Sequence, residues 1–160
     1  MPSTDLLVLQ GDAAEESGDY ARARALFQQG ADLGDEICLT RLAYMFDVGI
    51  GVSVDKAEAM RWYRQAWRQR TMVAANNIAI LYRERGNRRA MFRWFERAAL
   101  EGDGSAAIDV AKCYLAGVGV RRNPQEALRW LATVKRTDRN SEEVFEEAEA
   151  MLAELRPRSL

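Results

Sequence analysis

Few residues of this 160-residue chain have the types and spacing that catalytic chemistry needs. The sequence contains no histidine, which is the commonest acid/base group at neutral pH and the commonest zinc ligand. Its two cysteines, Cys38 and Cys113, have no C-x-x-C spacing, and each falls within an apolar helical pattern. We therefore predict two buried free thiols rather than a disulfide or a redox pair.

The remaining candidate groups do not form a catalytic pattern. Glu15 with Glu16, and Glu142 with Glu143, are adjacent in sequence and so point to different sides of a helix, unlike the paired carboxylates of hydrolytic enzymes. No G-x-S-x-G motif occurs, and the GIGV and GVGV turns lack the Lys and Ser/Thr of a phosphate-binding loop. The sequence predicts a protein that is not an enzyme and that has no catalytic residue, cofactor or metal site.

An internal repeat supplies the elements that must position the remaining side chains. Two segments nearly superimpose: LAYMFDVGIGVSVDKAEAMRWYRQA from Leu42 and VAKCYLAGVGVRRNPQEALRWLATV from Val110. A shorter version begins at Ile78 and a fainter one at Gly11, and apolar residues three and four apart indicate amphipathic helices. We predict one domain over 1–160, with repeats at about 4–34, 36–70, 72–102 and 104–137 and a capping helix at about 140–156.

The spacing of the copies supports stacked helix pairs. Each first helix has a small anchor that lets its partner approach, and each second helix has a large anchor beside it. The small anchors are Gly11, Ala43, Ala79 and Ala111, and the large ones are Leu26, Trp62, Trp94 and Trp130. Separations within copies are 15, 19, 15 and 19 residues, whereas every separation between copies is 17 residues. The loop inside a pair therefore varies in length while the stacking between pairs is kept.

Capping residues and glycines predict where the helices begin and end. Asn123 before Pro124 predicts a helix start, Asp55 predicts another, and Asn140 with Glu143 predicts the start of the last helix. Glycines follow helices where the chain needs positive φ: Gly18, Gly49, Gly51, Gly86, Gly117 and Gly119.

The phrases GIGVSVDKAEAMRWY and GVGVRRNPQEALRWL resemble the Sel-one-like repeat, a relative of the tetratricopeptide repeat. The resemblance covers roughly residues 5 to 135. It implies an all-α fold, an α/α superhelical solenoid of about four helix-turn-helix repeats with a C-terminal capping helix. It also implies an adaptor or scaffold that binds a protein or peptide partner in a concave groove, in bacteria often in secretion, signalling or toxin-immunity systems.

If the resemblance holds, the groove is lined by positions three before, one after and four after each small anchor. The predicted partner-binding residues are Thr40, Tyr44, Asp47, Asn76, Ile80, Arg83, Ile108 and Lys112, with Val8, Asp12, Glu15 and Leu115 at the equivalent positions of the outer repeats. Asn76 and Asn77 are unfavourable in mid-helix and can bind a ligand's backbone, although Asn77 can instead bond the preceding loop. Trp62, Trp94 and Trp130 are expected in the core, whereas Trp67 can face a neighbouring helix or a partner.

Charge is uneven although the formal net charge is only -1. Residues 1–58 carry 11 acids and 4 bases, residues 59–100 carry 2 acids and 10 arginines, and residues 101–160 carry 11 acids and 9 bases. The ordinary interpretation of the arginine-rich band is a solvated face with ion pairs. The alternative is an electrostatic site for RNA or an anionic membrane, and a third hypothesis is self-association through the terminal helices.

The partner class follows from the remaining features. No apolar stretch approaches the roughly 20 residues of a membrane span, and the first residues lack the basic start of a secretory signal. We expect a cytoplasmic location, a protein or peptide partner, no nucleic acid partner, and a monomer or weak homodimer.

Overall fold

The computed structural model describes residues 3–135 and 140–155. Within these ranges it contains helices and no β-strand, so the predicted all-α repeat fold is confirmed. The helices of the described residues are α1 (Thr4–Glu16), α2 (Tyr20–Asp32), α3 (Glu36–Val48), α4 (Lys56–Trp67), α5 (Met72–Glu84), α6 (Arg88–Leu100), α7 (Gly104–Ala116), α8 (Pro124–Leu131) and α9 (Glu142–Leu155). The last repeat's end at 136–137 and the tail from Arg156 to Leu160 lie outside them.

The chain forms two compact units, Met1–Ala74 and Ala75–Leu160, with the division inside α5. In the first unit α1 packs on α2, α2 on α3 and α3 on α4. In the second unit α6 packs on α7, α7 on α8, and α9 covers both α7 and α8. The first helices α3 and α7 thus each pack against their own second helix and against the second helix of the repeat before, as a stacked repeat requires.

The small anchors are packed as predicted, but the large anchors are displaced by one residue. Ala43, Ala79 and Ala111 are fully buried, and a Cβ on Gly11 would stand 2.4 Å from Cε1 of Phe27. The largest fully buried side chains of the second helices are Phe27, Tyr63, Phe95 and Leu131, each one position after the predicted anchor. Trp62 is buried, but Leu26, Trp94 and Trp130 are only partly buried. Since every anchor moves by the same step, the separations keep their alternation.

The alternation of loop lengths has a packing cause. Residues 17–19 and 85–87 form short connections, whereas 49–55 and 117–123 form long ones that begin in left-handed glycines, Gly49 and Gly117. The second glycine of each long loop lies on the first residue of an earlier second helix. A Cβ on Gly51 would stand 2.3 Å from Cβ of Tyr20, and one on Gly119 would stand 2.2 Å from the carbonyl oxygen of Arg88. Each long loop therefore folds onto the preceding short-loop repeat.

Side-chain caps fix where the helices begin. The carboxylates of Asp19, Asp35, Asp55 and Asp103 and the amides of Asn87 and Asn123 accept backbone N–H groups of the following turn. The predicted starts at Asp55 and at Asn123-Pro124 are confirmed. The prediction for Asn140 is wrong: its Oδ1 accepts the N–H of Gly104 at 2.8 Å, and α9 begins after Ser141 instead.

The terminal helix α9 covers the end of the second unit with one apolar face. Ala148 and Leu152 are buried against Ala107, Ala111 and Leu131, and the glutamates of its other side are exposed. Gly104 has no side chain because a Cβ would stand 2.6 Å from Oδ1 of Asn140. The capping helix that the sequence predicted is therefore present, with one face packed and the other in water.

Both cysteines are free and buried, as predicted. Burial, and after it the carboxylate of Asp35, raise the pKa of the Cys38 thiol to about 12. Burial likewise raises the pKa of Cys113 to about 11. Because the thiolate is the reactive form, neither residue is a nucleophile at neutral pH in the folded protein.

Candidate partner-binding surfaces

The outward face of α3 carries exposed apolar side chains in the first unit. Ile37, Tyr44 and Val48 are 49%, 43% and 46% exposed, and their spacing of seven and four residues places them on one side of the helix. Thr40 lies between them on the same side and is partly buried. Two of these four residues, Thr40 and Tyr44, were predicted from the repeat, whereas Ile37 and Val48 were not.

Arg41 also belongs to this part of α3, but internal contacts hold it. Its Nη2 atom lies 2.5 Å from Oδ1 of Asp12 and 3.3 Å from Oε2 of Glu15, and its guanidinium is 5.5 Å from the centre of the Phe27 ring. Because the Arg41 guanidinium is paired with residues of α1, it does not cover the apolar face of α3. A shallow cleft of about 220 Å³ lies beside it, lined by Ile37, Thr40 and the exposed Val73.

Asp47, another predicted groove residue, is buried and has internal partners. Its Oδ1 lies 2.6 Å from Nζ of Lys56, and the hydroxyl of Tyr63 donates to its Oδ2 at 3.4 Å. Burial, and after it the charge of Asp47, raise the pKa of Tyr63, which therefore stays protonated and can donate. The buried, paired carboxylate links α3 to α4, so Asp47 is not available to a partner.

In the second unit the predicted residues of α5 follow one side of that helix. Asn76 and Ile80 are partly buried, and Arg83 is exposed. Within the described chain neither Asn76 nor Asn77 forms a side-chain hydrogen bond, although asparagine is unfavourable in a helix interior. The amide of Asn76 is therefore available to an external donor or acceptor. Ile108 of α7 is 2% exposed and packs in the core of this unit, so it offers no surface.

Arg83 and Lys112, which were predicted from different repeats, line one pocket of about 470 Å³. Its floor is apolar and consists of the buried side chains of Met91, Phe95 and Cys113. The Arg83 guanidinium lies 6.0 Å from the centre of the Phe95 ring, and Arg88 stands at another edge of the pocket. The pocket thus combines an apolar interior with a basic rim.

Two carboxylates moderate that basic rim. Glu147 of α9 accepts from Nζ of Lys112 at 2.8 Å, in a pair whose two side chains are both about half exposed. Asp109 also lines the pocket; burial raises its pKa, and the charges of Lys112 and Arg83 act in the opposite direction. The balance of formal charge around the pocket remains positive, since three bases face two acids.

Some arginines of the arginine-rich band form ion pairs or stack on tryptophan rings, whereas others form no ion pair within the described part of the chain. Arg61 pairs with Glu58 and stacks on Trp62 at 4.0 Å from its ring centre, and Arg97 stacks on Trp94 at 4.3 Å. Arg89 and Arg93 share one side of α6 with Arg97 and form no ion pair within residues 3–135 and 140–155. Part of the band is therefore structural, whereas the α6 side is solvated.

Trp67 is partly buried, and the Arg70 guanidinium lies 5.5 Å from its ring centre. Arg70 has a φ of 62°, and it stands where the neighbouring repeats have the left-handed glycines Gly34 and Gly102. A left-handed arginine is strained relative to glycine.

The recurring helix pairs, their small-to-large anchors and their stacked order define an all-α helical repeat protein of the solenoid class. The Sel1 repeat family model matches residues 8–35, 37–69, 74–103 and 104–132. The chain belongs to the Sel1 repeat family. Sel1 repeats commonly act as protein–protein interaction modules.

Solved structures show the same fold. A protective antigen of uropathogenic Escherichia coli with an SLR fold aligns over 96% of this chain with a TM-score of 0.78 and 22% identity. A Sel1 repeat protein from Oxalobacter formigenes aligns over 90% of this chain with a TM-score of 0.76 and 21% identity. The alignments span only 33% and 60% of those proteins' own lengths.

No curated protein sequence matches the chain significantly. Among the helices of the described residues, none is both long and apolar enough to cross a membrane.

Proposed function

We propose that this protein is a non-catalytic adaptor or scaffold that binds a peptide or protein partner through the outward faces of its first helices. The observation that carries the proposal is the apolar side of α3, where Ile37, Tyr44 and Val48 are each more than two fifths exposed on a well-packed helix. Contiguous exposed apolar surface on a folded domain usually marks a site of association. Tyrosine is also among the residues that most often dominate interface energies.

A second part of the proposal concerns the α5 side of the second unit. Asn76, Ile80 and Arg83 there offer an amide, an apolar group and a cation in succession, and Lys112 of α7 shares a pocket with Arg83. Such a mixture suits an extended peptide, whose backbone needs hydrogen-bonding partners and whose side chains need pockets.

The sequence-based alternatives rank below this one. An electrostatic site for RNA or an anionic membrane draws support from the solvated arginines of α6, whereas the exposed glutamates of α9 would repel a second copy and so do not favour self-association through that helix. Surface charge without geometry contributes little affinity, however. A cytoplasmic location and a role in bacterial secretion, signalling or toxin immunity stay predictions.

A displayed library of random peptides tests the α3 surface. Peptides enriched on the wild type are expected to bind Ile37→Ser/Tyr44→Ser about tenfold or more weakly, because two apolar contacts of an interface centre are lost. Leu100→Ser is the matched control, since Leu100 is 72% exposed on a second helix, and its affinity should change by less than about twofold. Circular dichroism verifies that all three proteins are folded. Equal binding by all three would exclude the α3 side as the binding surface.

A further inference from the structure

The pocket of the second unit presents two kinds of chemistry within one volume. Its floor of Met91, Phe95 and Cys113 is buried and apolar, and its volume of about 470 Å³ exceeds what a single large side chain fills. Burying a leucine or phenylalanine there would remove apolar area from water at no cost in polar desolvation at the floor.

The rim has the opposite character, because bases from three different positions meet there. Arg83 comes from the end of α5, Arg88 from the start of α6, and Lys112 from the middle of α7. Within the described residues Arg83 and Arg88 form no ion pair, and Lys112 pairs with the half-exposed Glu147. The charges of Arg83 and Lys112 also act on the Asp109 carboxylate in the lining, so the pocket has three bases and two acids around it. Cations placed beside an apolar floor favour a ligand that brings its own negative charge.

Resting on the proposed function, we propose that this pocket recognises a peptide segment in which a large apolar side chain is flanked by carboxylates. The apolar side chain fills the space over Met91 and Phe95, and the flanking carboxylates pair with Arg83 and Lys112. The planar guanidinium of Arg83 can hold a carboxylate through two parallel hydrogen bonds, which gives orientation as well as charge. A basic segment is disfavoured by the same rim.

The acidic helix α9 competes with such a ligand. Glu147 already satisfies Lys112 at 2.8 Å, so a ligand carboxylate must displace it or share the ammonium group. Releasing Lys112 by Glu147→Gln is therefore expected to raise the affinity for an acidic ligand by about threefold, which corresponds to the modest strength of an exposed ion pair.

Four synthetic peptides test the inference on the full chain by fluorescence anisotropy. Each has a Gly/Ser background: one contains Phe flanked by Asp, one Phe flanked by Asn, one Phe flanked by Lys, and one Ala flanked by Asp. The Asp-flanked Phe peptide is expected to bind about tenfold or more tightly than each of the others, as the loss of one charge-assisted contact or one buried ring would give. Equal binding of the Lys-flanked peptide would overturn the proposal.

Variants of the protein then test whether the preference for the Asp-flanked Phe peptide depends on this pocket. Arg83→Gln/Lys112→Gln should reduce the affinity for the Asp-flanked Phe peptide to that for the Asn-flanked one. Ala116→Phe, which fills the pocket from an exposed position, should abolish the benefit of the ring. Arg93→Gln on α6 removes an arginine outside the pocket and should leave all four affinities unchanged. If Arg93→Gln matched the double variant, general electrostatics rather than the pocket would explain binding.

Two further outcomes separate the possibilities. Tight binding of single-stranded poly(U) RNA that Arg83→Gln/Lys112→Gln removes, with no peptide preference, would replace a peptide ligand by a nucleic acid and overturn the inference. Failure of every peptide at this pocket would also overturn it. The proposed function would survive that failure if library peptides still depended on Ile37 and Tyr44, since the two sites are changed by different variants.

Discussion

Gly119→Ala is expected to lower the thermal midpoint by about 6–12 °C, from a destabilisation of about 3 kcal/mol. Two costs add at this position. Gly119 has a φ of +74°, which an alanine adopts at a cost of about 1 kcal/mol. The added Cβ would stand 2.2 Å from the carbonyl oxygen and 2.8 Å from the carbonyl carbon of Arg88, and backbone atoms cannot move aside as a flexible side chain can.

Gly86→Ala is the matched control for that substitution. Its φ of +71° is nearly the same, but no described atom lies within 4 Å of the position that the added Cβ would take. Only the conformational cost of about 1 kcal/mol applies, so the midpoint should fall by about 2–4 °C. Thermal unfolding followed by circular dichroism compares the two variants. Equal shifts would show that the long loop is not packed on the start of α6.

Gly11→Ala is expected to destabilise the first unit by about 2–3 kcal/mol, although the same change at an open helical site stabilises by about 0.5–1 kcal/mol. The Cβ would stand 2.4 Å from Cε1 and 2.8 Å from Cζ of Phe27, which is fully buried. The sign of the change in stability is therefore diagnostic, because a tight contact between α1 and α2 is what makes this substitution destabilising rather than stabilising.

A double-mutant cycle with Phe27→Leu assigns that loss to the contact. Phe27→Leu alone removes packing, but the smaller side chain leaves room for the Cβ of Ala at position 11. The double variant should be more stable than the sum of the single effects predicts, by about 1–2 kcal/mol. Urea unfolding followed by tryptophan fluorescence provides the comparison. Simple additivity would mean that Gly11 is required for another reason.

The family, the helix pairs and most helix starts could be predicted because each depends on local spacing. The 15 and 19 residue alternation reports loop length directly, and Asp55 and Asn123 cap helices through residues that are three positions apart or fewer. The position of the large buried residue in each second helix was predicted only to within one residue. Phe27 and Phe95, rather than Leu26 and Trp94, occupy the deepest positions, because a periodic apolar stripe leaves its centre uncertain by about one residue.

The surface was predictable only in part, for two physical reasons. A polar residue on the expected face can instead form contacts within the protein, as Asp47 does with Lys56 and Tyr63. The repeat rule also counts only three positions per helix, so it misses Ile37 and Val48, which extend the α3 face by a turn at each end. The exposed apolar residues at i, i+7 and i+11 of one helix were the signal available in the sequence. Asn140 was misassigned because its partner, Gly104, is 36 residues away.

The proposal that first-helix faces bind the partner is tested most directly by photo-crosslinking in cells that express the protein. A photoreactive phenylalanine analogue replaces Tyr44, which is 43% exposed on α3, or Leu100, which is 72% exposed on α6. We predict that the Tyr44 position gives a discrete protein adduct on irradiation and that the Leu100 position gives none. An adduct at Leu100 with none at Tyr44 would contradict the proposal.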